Sequence, residues 1–518
     1  MSTDSGRPLT RREAREAAEA DAALRQAQGP DAGTTGPDAG APDPDAGSPR
    51  ADAEAPGPEP RRTALVRRRG RAFFSSFVAV VAVLAVLGFA GAAIGTARGP
   101  HVTGVQVDPA AAAQASGSRL IVTTSQSLQP VEESQVTIEP AVPFAVDTSG
   151  RAVGVRFGLP LRDDTEYTVS FTDVEGLGDG PTAEFTHTFR TPPAEVYLLQ
   201  RGGGTDTIFR TDLTGENAVK VFEHPHIEDF RTTAGHLIVS VRTDDTAELI
   251  ATDLDGGGER TLPLPGTGVV ANLQAADRGE RIGYTFSDLN PGTEGALESV
   301  LFTTSLGDPD AEPQMVDIAG ADPRVGQWRF VPDTDSILLL NFEGSLLLTD
   351  ATGSTSTALG TAIAIDGAAA TEAIVDRLEA VEVVDLTDGT SAPLVAVSDE
   401  TLLGAVLPVP GGGTLRTLSD VGAAGLPIAT RIVFVTDEGE ESPVLEVTSS
   451  DAVVQTCVSP SGRYAAVLVA PDAVSNPYDL YDLPLPEKLQ THVVEIDGGD
   501  EVVVMAGGAI SWCRVPPQ

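Results

Sequence analysis

The stretch QTCVSPSGRYAAVLV, residues 455–469, sets an apolar run on either side of Ser-Pro-Ser-Gly. An alternating run, a four-residue turn signal and a second apolar run form the pattern of two antiparallel strands joined by a tight turn. Comparable stretches stand at DFRTTAGHLIVSV (229–241), QAADRGERIGYTF (274–286), WRFVPDTDSILLL (328–340) and AVLPVPGGGTLRTL (405–418). A second signature alternates with the first. A β-rich run ends in Asp or Ser followed by a Gly-containing turn at FRTDLTGE (209), IATDLDGG (250), FTTSLGDP (302), LLTDATGS (347), VVDLTDGT (383), FVTDEGEE (434) and VVEIDGGD (493). Gly and Asp tolerate the positive φ that a hairpin turn demands. Seven copies spaced by roughly forty to sixty residues fit four-stranded blades with loop insertions. The period of two excludes an α-solenoid.

The CVSPSGRYAAVLV stretch resembles the Ser-Pro-Asp-Gly-Lys repeat of TolB-like and WD40-like β-propellers. The resemblance implies a propeller over residues 195–518, with seven blades and with six or eight left open. The region around 364–384 is the least regular blade. Propellers commonly close their ring by completing one blade with strands from both ends of the domain. AISWCRV (509–515) is then expected to be the inner strand of the blade that EVYLLQR opens at Glu195. On that expectation Cys457 lies on the neighbouring inner strand, and Cys457 and Cys513, the only two cysteines of the chain, come within bonding reach. The alternative is a pair of buried thiols packed as small apolar residues. A disulfide closing about 57 residues is worth about 4 kcal/mol in the chain-entropy account.

Residues 101–192 carry a different pattern. Val153, Val155 and Phe157 alternate, as do Tyr167, Val169 and Phe171, with Arg-Asp-Asp-Thr turning between the two runs. Two half-buried strands follow from that period. LRDDTEYTVSF (161–171) and the closing TFRTP (188–192) resemble the bacterial Ig-like domain of surface-layer and other envelope proteins. The resemblance implies a β-sandwich that acts as a spacer or adhesion module. The expected fold class is therefore mainly β, an Ig-like sandwich followed by a propeller.

Ahead of these domains, residues 72–97 read AFFSSFVAVVAVLAVLGFAGAAIGTA without a charge. At about 1.5 Å per residue this run exceeds a roughly 30 Å hydrocarbon core and is expected to be a transmembrane helix. Arginines 61, 62, 67, 68, 69 and 71 precede it and only Arg98 follows closely, so the positive-inside rule places residues 1–71 in the cytoplasm and the remainder outside. A cleaved signal peptide ending at Ala90–Gly91–Ala92 is the alternative. Residues 1–71 are expected to be a disordered tail. Pro-Asp-Ala-Gly recurs at Pro30, Pro37 and Pro44, and a Thr10–Glu13 capping box opens a short helix near 11–28.

The formal charge is −41 with two lysines, Lys220 and Lys488, a balance that repels nucleic acid. No G-x-S-x-G elbow, H-E-x-x-H, phosphate-binding loop or C-x-x-C occurs. The nearest metal-like cluster is EHPHIED (223–229), one loop that cannot close a site alone. No catalytic residue, metal or cofactor is expected. SNPYDLYDLPLPEKL (475–489) is a long insertion in which Tyr478 and Tyr481 are candidate anchors for a partner. The function expected from the sequence is a non-enzymatic, membrane-anchored extracytoplasmic binding or scaffold protein, with an envelope protein or glycan as partner. A transmembrane sensor or assembly factor working through the tail, and an enzyme acting on envelope polymers, are the competing readings.

Overall fold

The computed structural model describes residues 80–84 and 99–517, except 179, 277–278, 309, 370, 398–400 and 423–426. Residues 80–84 are helical. The expected cytoplasmic tail and its short helix lie outside the described residues, as does most of the expected transmembrane segment 72–97. Among the described residues no helix is long and apolar enough to cross a membrane.

Residues 101–192 form two antiparallel sheets packed face to face. Val102–Gln106, Arg119–Thr124, Ala152–Phe157 and Phe144–Ser149 pair in that order, and Val136–Glu139, Glu166–Val174 and Ala183–Arg190 make the second sheet. The alternating residues meet between them: Val153, Val155, Phe157, Tyr167, Val169 and Phe171 are all buried in one cluster with Leu120 and Leu161. Each such side chain contributes about 1.5–3 kcal/mol on burial, so the alternation itself selects which face turns inward.

Among the described residues from Glu195 onward, seven antiparallel sheets follow one another without crossover, over 195–224, 227–262, 268–315, 325–361, 364–393, 401–448 and 452–506. The first has three strands and the other six have four. This is the succession of blades in a β-propeller. All seven Asp/Ser-Gly signatures fall between the third and fourth strands of a full blade, or at the corresponding turn of the first. Their chemistry is local. The Asp212 carboxylate accepts from the Thr214 amide (3.0 Å) and the Asn217 side chain (2.8 Å), while Gly215 takes φ +71°. Asp350 and Asp385 organise their turns in the same way through Thr352, Ser354, Thr355 and Thr387. The hydroxyls of Thr214, of Thr355, Thr352 and Ser354, and of Thr387 also donate to these carboxylates and hold the Asp212, Asp350 and Asp385 carboxyls below the usual carboxylate range. The Ser-Pro-Ser-Gly signature and its four copies fall between first and second strands. There Gly462 sits at φ +72° with the Pro410 carbonyl where a Cβ would stand, a position no other residue fills without displacement.

The core is distributed between consecutive blades. Ile238 and Leu249 of the second blade pack with Ile282 and Tyr284 of the third, and Leu338 and Leu340 of the fourth with Ala373 and Val375 of the fifth. Among the described residues the innermost strands do not pair with one another, and long polar side chains tie them together. Gln274 donates to the Trp328 carbonyl, and Arg329 donates to the Ile365 and Asp366 carbonyls at 2.7 Å. Gln455 donates to the Val515 carbonyl at 2.8 Å, and Arg231 to the Arg514 carbonyl at 3.3 Å.

Candidate functional site

The last two of those bonds hold the seam of the ring. The three-stranded first blade lacks an inner strand, and residues 508–515 occupy that place. Leu199 and Gly508 exchange two backbone hydrogen bonds of 2.9 Å, and Ser511 donates to the Tyr197 carbonyl. The expected regular strand over 509–515 is not formed. Ala509 takes φ +50°, the Cys513 amide folds back to the Ile510 carbonyl, and Pro516 and Pro517 have no amide hydrogen with which to extend a ladder. The segment is a strap with one bridge rather than a strand. It nevertheless brings Cys513 to Cys457 on the inner strand Ala452–Val458, and the two form a disulfide with an S–S distance of 1.95 Å and a Cα–Cα distance of 5.3 Å. Both cysteines are buried among Val196, Leu198, Tyr464 and Ile510.

The two faces of the ring differ. The turn Ser459–Arg463 of the seventh blade meets the sandwich: Arg463 donates to the Asp163 carbonyl (3.2 Å) and lies 3.7 Å from its carboxylate, which also meets the Tyr464 hydroxyl. Burial pushes the Asp163 carboxyl up, against the pull of Arg463. In the fourth blade Asp333 accepts from Ser116, and in the sixth a Cβ on Gly411 would stand 3.4 Å from Leu159. These are the turns between first and second strands, next to the channel. The sandwich therefore rests on turns of the fourth, sixth and seventh blades on this face.

The insertion lies on the other face, where second strands end and third strands begin. It leaves the seventh blade after Ala470 and returns at Gln490. The buried Asn476 side chain clamps its two stems, donating to the Pro471 and Lys488 carbonyls and accepting from the Lys488 amide. From there the loop crosses the seam. Arg201 of the first blade pairs with Asp479 (2.9 Å) and donates to the Glu228 carbonyl. Both Glu228 oxygens accept from the Asp482 amide at 3.1 Å, and Arg242 of the second blade pairs with Asp482 at 2.8 Å.

Of the two candidate anchors, Tyr481 is taken up within the chain. Its hydroxyl donates to Asp206 (2.7 Å), one face of its ring stacks on His226 at 4.0 Å, and the Arg201 guanidinium stands 4.1 Å from its centroid. Burial and the Asp206 carboxylate raise its phenol. Tyr478 is 64% exposed, and Leu480 beside it is 92% exposed. The EHPHIED residues belong to the same scaffold. His224 bonds the backbone of His226, and His226 meets the Glu228 carboxylate at 2.6 Å. Among the described residues no group of three or more His, Cys, Asp or Glu is disposed to hold a metal ion.

Between the insertion, the first two blades and the strap lies a cavity of about 750 Å³, the size of a ligand or peptide site. Leu199, Leu483, Leu485, Leu489 and Pro517 give it apolar walls, with Arg201, Glu228, Asp229, Asp479, Glu487 and Lys488 among its polar lining. Asp229 is raised by burial, opposed by Arg231 at 2.6 Å. Sequence reading singled out the insertion, but not the cavity, because its walls come from residues near 200, 228, 480 and 508 that only ring closure assembles.

No family model matches the chain, and no curated protein matches it. Among solved structures it is similar to a prolyl endopeptidase at 14% identity and a TM-score of 0.42, covering 61% of this chain and 50% of that one. It is also similar to the Cps50 (Swd1) β-propeller domain of Myceliophteria thermophila, at 13% identity and a TM-score of 0.37 over 55% of this chain and 87% of that one. A third likeness is to a putative TolB from Agrobacterium tumefaciens, at 13% identity and a TM-score of 0.32 over 61% of this chain and 89% of that one. The chain spans half the length of the prolyl endopeptidase it matches. The structural neighbours are β-propeller proteins, and at these identities the likeness is one of fold alone.

Proposed function

We propose that this is a non-enzymatic binding or scaffold protein of the bacterial cell envelope, anchored by residues 72–97, with its sandwich and propeller outside the membrane. In this reading the sandwich is an Ig-like spacer of the surface-layer type, and the propeller presents the interaction surface. One observation carries the proposal: large apolar side chains of several blades stand exposed on the face that bears the insertion. Leu289, Phe342, Ile363, Leu378, Tyr478 and Leu480 all stand in turns or connections of that face, and all are more than 45% exposed. Large apolar groups exposed on one face of a folded domain mark a candidate interaction surface. The sandwich rests on turns of the opposite face.

The test places a photo-crosslinking amino acid at Leu378, Tyr478 or Leu480 of the full chain in intact membranes. The expected result is one reproducible partner trapped from these positions and not from Glu438 on the opposite face. Equal trapping from both faces, or turnover by the purified chain that is lost in a His224→Ala/His226→Ala variant, overturns the proposal.

A further inference from the structure

The cavity beneath the insertion also indicates what kind of partner it takes. We propose that it receives a basic, apolar segment of a partner protein, cationic side chains meeting its rim and apolar ones entering between its leucines. This rests on the reading of the insertion face as the interaction surface, and it names the chemistry that surface recognises.

The charge balance of the lining gives the first argument. Asp479 is paired with Arg201 and Asp229 with Arg231, which leaves Glu228 and Glu487 facing Lys488, an excess of one negative charge. Beyond the cavity the imbalance grows. Asp244, Glu294, Glu343 and Glu379 stand exposed in the turns of the same face. The arginines there are already engaged: Arg242 by Asp245 and Asp482, Arg324 by Asp322 and Glu298, Arg377 by Glu382. An approaching cation therefore meets uncompensated carboxylates, and an anion meets repulsion.

The walls give the second argument, which separates a peptide from a glycan. Sugar rings are held by open aromatic faces together with convergent polar groups. The aromatic ring in this lining is Tyr481, and His226 and Arg201 already cover it. What remains is aliphatic: Leu480, Leu483, Leu485, Leu489, Pro486 and Pro517. Such walls favour Leu-, Ile- or Val-like side chains. Leu480, which lines the cavity and is 92% exposed, carries that surface outward.

The cavity walls are fastened by Asn476, by the Arg201–Asp479 pair and by Asp482 on Glu228, so the site exists before anything binds. A preformed site spares a partner the cost of ordering it.

The experiment titrates the full-length chain with fluorescent peptides of sixteen residues. One carries Lys and Leu on an amphipathic pattern, one has Leu replaced by Ser at the same charge, and one has Lys replaced by Glu. The Lys/Leu peptide is expected to bind at least tenfold more tightly than either control. Glu487→Lys and Leu480→Asp, both exposed positions, should each weaken it about tenfold, whereas Glu438→Lys, the same charge change on the opposite face, should alter it less than twofold. Equal binding of the Lys/Ser peptide, or equal effects of Glu487→Lys and Glu438→Lys, would reduce the attraction to long-range charge and overturn the proposal. Tighter binding of the Glu/Leu peptide, or displacement of the Lys/Leu peptide by an envelope oligosaccharide, overturns it as well. If a partner crosslinks at Tyr478 while these peptides fail to bind, the interaction face stands and the assignment of a basic segment falls.

Discussion

Removing the Cys457–Cys513 bond tests how the ring is closed. The bond joins residues 56 apart in sequence, and in the chain-entropy account a loop of that length is worth about 4 kcal/mol through the denatured state. Its loss leaves the native seam otherwise tied. The paired bonds of Leu199 with Gly508, the Ser511 amide on Tyr197, Gln455 on the Val515 carbonyl and Arg231 on the Arg514 carbonyl do not involve sulfur. A Cys457→Ser/Cys513→Ser variant is therefore expected to fold and to be less stable, rather than open. Unfolding entropy near 2.1 cal/mol/K per residue gives about 0.7 kcal/mol/K for the roughly 320 residues of the ring, so 4 kcal/mol lowers Tm by about 6 °C. Calorimetry of the full-length chain, oxidised, reduced and doubly substituted, reads this directly. Amide exchange followed by mass spectrometry should show protection lost first in 508–515 and in Glu195–Gln200, while Ala152–Phe157 in the sandwich keeps its protection. A shift under about 2 °C, in protein whose bond is shown by non-reducing mass spectrometry, would refute the closure argument. Two free thiols in oxidised protein would refute the bond itself.

Asp366 gives a pH-dependent test. Burial pushes its carboxyl up to about 6, against the attraction of Arg329 and with some help from Asp376. A folded-state value above the unfolded one near 4 means that ionisation disfavours the fold, so this group's contribution is fully favourable below pH 4 and is lost as pH rises through 6. Asp366→Asn should therefore remove a slope worth about 2–3 kcal/mol between pH 4 and 6 in denaturant titrations; an unchanged difference from the parent across that window would disprove it. Arg463→Met should loosen the sandwich from the ring by about 1 kcal/mol, allowing for partial exposure of the Asp163 and Glu495 pairs. The measurement is proteolytic cleavage within 192–194, expected to quicken several-fold. Asn476→Ala removes three hydrogen bonds from the buried amide that clamps the insertion stems, about 2–3 kcal/mol locally. Faster amide exchange across 475–489 with an unchanged Tm for the ring is expected, and unaltered exchange there would count against the clamp.

Much of the fold was legible because it is local. Val153, Val155 and Phe157 alternate because a strand has two faces, and they are all buried. The turn signatures at 212, 350 and 385 mark hairpins because an Asp carboxylate caps amides two to five residues ahead and a Gly takes the positive φ, chemistry contained in a few consecutive residues. One such turn per blade makes the number of sheets readable. The Cys457–Cys513 pairing followed once a ring was assumed, since closure leaves the terminal segment one neighbour on that side. The same reasoning overstated the regularity of 509–515, whose turn and positive φ at Ala509 depend on fitting between two wedge-shaped blades. Tertiary structure alone decided the site. Tyr481 reads in sequence as an aromatic in an exposed loop; it is occupied because ring closure carries Asp206, 275 residues away, beneath it. The cavity walls and the docking of Asp163 onto Arg463 likewise join residues hundreds of positions apart. Periodicity and turn chemistry act over a few residues, whereas contacts across a closed ring are set by the wedge angle of every blade between them, which no short stretch encodes.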